Sequence, residues 1–246
     1  MKKIRTFHLI AVILLIGITG MTKADDWDIY LTVDNQYDVY FGTPTTTDFY
    51  AGGDTVTWTT AEYYQALGRL STDYLYVATA SDHSSAQGFL GTFTNTTTAA
   101  SISTGDLIWE VFPAGAYAAT NPYGAGLWPA SLMPTQTQVD TAIAYAETNN
   151  LWVAPTAVPG FDNDLSTPIA PYTWEWGWTF ASIDPSASWI WYDSGNDPYT
   201  GTFRPVPING FNHDEFLVFR VAGAVPEPGT MALLGLGGLT FFRKRK

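Results

Sequence analysis

Between residues 172 and 180 the chain alternates rings with small or polar side chains. Tyr172, Trp174, Trp176, Trp178 and Phe180 are separated by Thr173, Glu175, Gly177 and Thr179. In a strand all five rings point to one side, about 6.6–6.8 Å apart. Such a ladder could stack on successive rings of a polysaccharide, with Trp174, Trp176 and Trp178 as the candidate sugar-stacking residues. The same stripe turned inward would remove about 150–250 Å² of surface per ring from water. A fold without disulfides needs that burial, so the core reading takes precedence over the ladder. Trp189 and Trp191, also two apart, are read the same way.

Acidic turns come next. Asp162-Asn163-Asp164 places side-chain oxygens close together, and Asp193 and Asp197 bracket a Gly195-Asn196 turn. Calcium takes six to eight such oxygens, which makes Asp162 and Asp164 candidate calcium ligands. Asp and Asn also build turns by bonding their own backbone, and no EF-hand spacing is present. Catalysis finds little support. Outside the first 24 residues the only histidines are His83 and His213, and HExxH, GxSxG, zinc-type Cys/His spacing and a Gly-rich phosphate loop are all missing. A glycosidase needs two carboxylates across a cleft, and nothing in the spacing pairs Glu62, Glu110, Glu147, Glu175 or Glu215. Asp214-Glu215 beside His213 reads as a solvated turn. The expectation is a non-catalytic protein.

These residues sit between two cationic ends. Lys2, Lys3 and Arg5 precede an apolar run over 9–18, and Thr22-Lys23-Ala24 offers small residues around a cleavage site, so residues 1–24 are expected to be a removed signal peptide. At the other end Val225-Pro226-Glu227-Pro228-Gly229 leads into thirteen uncharged residues, 230–242, and then Arg243-Lys244-Arg245-Lys246. Two prolines keep the first part extended and open to a processing enzyme. As a helix the apolar part would span roughly 20 Å, against about 30 Å of hydrocarbon. Gly235, Gly237 and Gly238 weaken it further. The tail is a poor permanent anchor and a reasonable temporary one, with its cations on the cytoplasmic side.

This tail resembles the PEP-CTERM sorting signal of bacterial exported proteins. The resemblance covers residues 225–246 and implies recognition by an exosortase, a membrane-embedded, cysteine transpeptidase-like enzyme, with cleavage near the Pro-Glu-Pro. It further implies a bacterium that makes extracellular polysaccharide, and a mature protein at the cell surface or in the biofilm matrix.

The segment between the ends is expected to form one domain over 25–224. It contains no lysine, and residues 25–225 carry three arginines against 22 acids, a formal charge of −19. Such a body is repelled by nucleic acid and by anionic membranes. No cysteine is present, so the core alone must hold the fold. Aromatic, Thr, Gly and Asp content points to strands and turns. Trp27, Ile29, Leu31 and Val33 alternate onto one face, and Tyr37, Val39 and Phe41 onto another after the Asp34-Asn35 turn. Further strands are expected at 74–80, 89–93, 107–112, 172–180, 188–192 and 216–221. Two helices are expected. One covers 61–67, capped by Thr59 or Thr60 and ended by Gly68. The other covers 138–148, capped by Thr137 and stopped by Asn149-Asn150. Thr45–47 and residues 95–98 read as loops that could be glycosylated. The fold class expected is an all-β antiparallel β-sandwich with one or two short helices.

The order of these pieces is similar to galactose-binding-like jelly-roll modules. The residues that carry the similarity are Asp34-Asn35-Gln36-Tyr37, the strand at 74–80 before Gly88-Phe89-Leu90-Gly91, Ser188-Trp189-Ile190-Trp191 and Phe216-Leu217-Val218-Phe219-Arg220. The resemblance implies a jelly-roll fold and a sugar ligand. Three functional expectations follow from the whole: the first is a non-catalytic surface or matrix protein, and the second is a carbohydrate-binding module that uses exposed tryptophans. A secreted glycoside hydrolase is the third.

Overall fold

A computed structural model describes residues 24–34, 36–55, 58–80, 87–120, 133–164, 179–192, 194 and 216–222. It shows two antiparallel sheets packed face to face. Sheet A has the order β4-β1-β6-β10-β9, with β7 also pairing β6, and sheet B has the order β3-β2-β5-β11-β8. The strands are β1 Ala24–Asp34, β2 Gln36–Thr43, β3 Thr46–Asp54, β4 Glu62–Leu70, β5 Tyr74–Ala80, β6 Gly88–Asn95, β7 Ala100–Ser103, β8 Glu110–Phe112, β9 Thr156–Asp162, β10 Ser188–Trp191 and β11 Leu217–Ala222.

Side-chain parity explains the core. Trp27, Ile29, Leu31 and Val33 of β1 turn inward and meet Tyr37, Val39 and Phe41 of β2 across the sandwich. Asp34 and Gln36 therefore link the two sheets and do not form a hairpin. Phe89, Phe93, Trp109 and Phe219 fill the centre, with ring centroids 5.3 Å apart for Phe89–Trp109, Phe93–Trp109 and Phe89–Phe219. Trp189 and Trp191 are both buried, so this pair belongs to the core.

The strands β5 and β11 are buried on both faces because helices cover the outer side of sheet B. These are α1 Ala114–Thr120 and α2 Gln136–Asn149. Val139, Ala142, Ile143 and Ala146 of α2 recur at helical spacing and pack on Tyr40, Tyr76, Ala78 and Val218. Thr135, not Thr137, is the N-cap. Its hydroxyl accepts from the Gln138 N–H, and Gln138 Oε1 accepts from the Thr135 N–H at 2.9 Å, a reciprocal capping box. Asn150 closes the helix at φ 53°, as its Asn type suggested. Among the described residues no helix is long and apolar enough to cross a membrane.

Three further expectations are corrected. Residues 61–67 are not helical. They lie in β4, which pairs with β1 from Ala24↔Leu70 to Leu31↔Glu62. Ala66 is fully buried while its neighbours Gln65 and Leu67 are exposed. Burying one face against β1 outweighs the helical preference of Glu, Ala, Gln and Leu. Gly68 does adopt positive φ, 67°, but at a bulge in β4, where its N–H donates to Asp26 Oδ1 at 2.8 Å. Residues 107–112 are strand only from Glu110. Leu107 and Ile108 stand in an exposed turn. Of the loop residues, Thr46 and Thr47 belong to β3, whereas Asn95 ends β6 and its Oδ1 accepts from the N–H groups of Thr97 and Thr98, both at 3.0 Å.

Candidate functional site

Among the described residues no helix covers the outer side of sheet A, which is open at Tyr63, Gln65 and Ser101 and closed over Thr32, Leu90, Thr92 and Ser103. Because odd residues of β1 point inward, Asp28 and Tyr30 point outward. Register then builds two rows across the strands. Gln65, Asp28, Thr94 and Ser101 form one, and Tyr63, Tyr30, Thr92 and Ser103 form the other. Asp28 Oδ1 accepts from the Tyr63 hydroxyl at 2.7 Å and from Gln65 Nε2 at 3.0 Å. Those two bonds, Gln65 first, hold its carboxyl below the usual carboxylate range. The Tyr63 phenol is in turn pushed up to about 12, chiefly by the bond to Asp28. Tyr30 and Tyr63 stack at 4.7 Å with an interplanar angle of 30°. Tyr63 is thus fixed at its hydroxyl and on one ring face, while 47% of the residue stays exposed.

Thr94 and Ser101 hydroxyls pair at 2.8 Å, and Thr92 and Ser103 at 3.2 Å. Thr92 is also an acceptor for the Asp184 N–H at 2.9 Å, so residues 180–187 border this face. Here the candidate residues of the acidic turn find their place. Asp162 ends β9 half-buried, Asp164 is exposed, and the Asp164 N–H donates to Asp162 Oδ1 at 3.2 Å. Asn163 between them is buried. Its Nδ2 donates to the carbonyls of Phe180 (2.9 Å) and Ile183 (2.6 Å), and its Oδ1 accepts from the Phe180 N–H (2.8 Å). The middle residue of the triplet is therefore a clamp that ties residue 163 to residue 180. Among the described residues no group of three or more His, Asp or Glu side chains converges on a metal position.

The clamp closes the neck of the segment that carries Trp174, Trp176 and Trp178. Those three residues lie outside the described ones, as do Val225, Pro226, Glu227, Pro228 and Gly229. Phe180, the last ring of the stripe, is buried. The neck stands beside Thr92, at the margin of the exposed face.

A second cluster was not visible in the sequence. Tyr37 donates to Glu62 Oε2 at 3.0 Å, and its hydroxyl lies 3.1 Å from that of Tyr64. A Cβ at Gly52 would overlap the Tyr64 ring, so glycine lets that ring close over β3. On the other side of β2, Tyr40 donates to Asp38 Oδ2 at 3.2 Å. Burial pushes the carboxyls of Glu62 and Asp38 up, and the Tyr50 phenol is raised to about 12 by burial and by Asp38. The cluster locks β2, β3 and β4 together across both sheets. Its only signal was the Tyr-Tyr pair in a stretch read as helix.

The fold is an acidic antiparallel sandwich, partly open on the outer face of sheet A among the described residues, with a tail that follows β11 in the sequence. Residues 224–246 match the family model of the PEP-CTERM protein-sorting motif. That motif is the exosortase recognition signal, so the chain is an exported, exosortase-processed protein whose precursor is anchored in the membrane. No curated protein and no solved structure matches the chain. The likeness to galactose-binding-like modules thus rests on the sequence pattern alone, while the sandwich itself is observed.

Proposed function

We propose that the mature protein is a non-catalytic component of the cell surface or extracellular matrix that associates with exopolysaccharide. The observation that carries this reading is the outer face of sheet A. It presents one immobilised, open ring, an ionised carboxylate, an amide and the exposed Thr94–Ser101 hydroxyl pair. That is the equipment for a polyhydroxylated chain, whose rings meet a π face while their hydroxyls meet polar groups. A formal charge of −19 over residues 25–225 turns anionic partners away and leaves neutral glycans.

A second reading makes Trp174, Trp176 and Trp178 the stacking residues themselves. What supports it is the alternation of the rings in the sequence, which in a strand puts all of them on one side. A non-catalytic reading is supported by the three described glutamates, Glu62 bonded to Tyr37 and Glu110 and Glu147 to Arg220, while Glu175 and Glu215 lie outside the described residues. Calcium at Asp162 and Asp164 would lack the middle residue as a ligand.

Titration of the protein with the producing organism's polysaccharide, followed by intrinsic fluorescence with and without EDTA, tests the proposal. Saturable binding that weakens on Tyr63→Ala supports it. Binding unaffected by Tyr63→Ala and lost with Trp176→Ala moves the site to the tryptophan segment. Absence of binding to the polysaccharide contradicts both readings.

A further inference from the structure

The strand register fixes where the chain enters and leaves the sandwich. Ala24 opens β1 and pairs with Leu70, the last residue of β4. The Asp73 N–H donates to the Leu70 carbonyl at 2.9 Å, closing a tight turn into β5. The next residue, Tyr74, pairs with Ala222, the last residue of β11. Entry and exit therefore lie at one pole, joined through a single turn. Asp34, Asp54 and Ala80 end their strands at the opposite pole.

Seven residues, 223–229, separate Ala222 from the uncharged run that begins at Thr230. Covalent geometry limits their reach to about 25 Å. In the anchored precursor the exit pole cannot stand farther than that from the bilayer.

Beside the exit strand, one strand away from it, lies a protruding apolar turn. Leu107 is fully exposed and Ile108 is 44% exposed. They precede β8, which opens with Glu110 opposite Arg220, two residues short of Ala222 and one strand away from it. The base of the turn is pinned. Trp109 is buried, with its Nε1 donating to the Ser103 carbonyl at 2.9 Å, and the Ser103 N–H donates to Asp106 Oδ2 at 2.8 Å. With Trp109 drawn into the core and Asp106 bonded to β7, the two aliphatic side chains between them are held outward.

We propose that Leu107 and Ile108 seat in the interfacial layer of the bilayer while the precursor is anchored. The contact fixes which pole faces the membrane and keeps residues 223–229 at the surface, where a membrane-embedded processing enzyme works. Two aliphatic side chains cannot hold a free acidic domain on a membrane, but a short tether raises their local concentration at the surface. The contact exists before cleavage and lapses after it. The acidic body makes uncharged headgroups the better partner. This inference is independent of any bound polysaccharide.

The chain contains no cysteine, so Leu107→Cys creates a unique position for an environment-sensitive fluorophore. The full chain is reconstituted in phosphatidylcholine vesicles whose acyl chains are brominated. The label at 107 is expected to emit at shorter wavelength and to be quenched by bromine. A label on Thr55→Cys, exposed at the opposite pole, is expected to show neither change. Ile108→Cys provides a second reporter in case the first variant misfolds. The inference is overturned if labels at 107 and 108 behave like the one at 55, whether all are quenched or none is.

Discussion

Arg220 shows what an acidic, lysine-free body does with a scarce cation. Its side chain is 8% exposed, with Nε on Glu110 Oε2 at 2.7 Å and Nη1 on Glu147 Oε2 at 2.6 Å. Its guanidinium lies 3.9 Å from the Trp152 ring centroid and 5.0 Å from that of Tyr74. One side chain thereby joins β11, β8 and the end of α2. Arg69 repeats the pattern with Asp48 at 3.4 Å and the Phe49 ring at 4.0 Å. Removing a buried member of an ion pair usually costs about 3–5 kcal/mol. Glu110 and Glu147 remain partly solvated, so Arg220→Ala is expected to cost about 2–3 kcal/mol in a denaturant titration. A loss below about 0.5 kcal/mol would mean the contacts are incidental, as at an ordinary surface position.

Glu62 makes a prediction about pH. Burial raises its carboxyl above the ordinary range in the fold. Such a group binds its proton more tightly folded than unfolded. Its stabilising share is complete below the unfolded value, about 4.3 for Glu, and is lost as pH rises through the folded value. Glu62→Gln keeps an oxygen for the Tyr37 hydroxyl and removes the titration. Its Tm is expected to fall less than the parent's between about pH 4 and about pH 7. An unchanged slope would show that this carboxyl is not the one responding.

At the scale of elements, much of the sandwich could be read in advance where one face of a strand is apolar. β1 and β2 have that alternation, and both faces were placed correctly. The helix α2 was recognised from Val139, Ala142, Ile143 and Ala146, with its cap misplaced by two residues because Thr135 and Thr137 are equally good cap residues by type. β4 was misread because its composition favours a helix and its strand pairing with β1 is a distant event. The Leu107–Ile108 turn was misread because an exposed apolar pair looks like a strand face when burial is unknown. Two features of the site were out of reach. Asp28, Tyr63 and Gln65 meet only through the β1–β4 register, and Asn163 gave no sign that it would close a neck.

That neck carries the next prediction. Asn163 bonds three buried backbone groups, of which the Phe180 carbonyl also accepts from the Ile183 N–H at 3.0 Å, so the Phe180 N–H and the Ile183 carbonyl are the two that depend on it. Leaving such groups unpaired costs about 1–3 kcal/mol. Asn163→Ala is expected to lose that much stability and to speed protease cleavage between residues 164 and 179. Asn163→Asp keeps the oxygen that accepts from the Phe180 N–H but loses both donated bonds, so it should be impaired as well. Wild-type cleavage rates in both variants would remove the clamp from the account.

For the molecule as a whole, the division of labour is between a sandwich that needs no disulfide and a tail that decides its destination. Sheet B spends its outer face on helices, and among the described residues sheet A leaves part of its outer face, around Asp28, Tyr63 and Gln65, to solvent. Entry and exit share one pole, so a processing machine at the membrane meets one end of the domain and the exposed face remains to its side. The charge follows the same plan, with eight of the eleven basic residues outside residues 25–225.

The most direct measurement is the intact mass of the protein recovered from the producing cells and from their medium. The account predicts a species that has lost the first 24 or so residues and everything beyond a cut near Pro226-Glu227-Pro228, found outside the cytoplasm. A recovered chain of full length, with Arg243-Lys244-Arg245-Lys246 still attached in a strain that has an active exosortase, would contradict it.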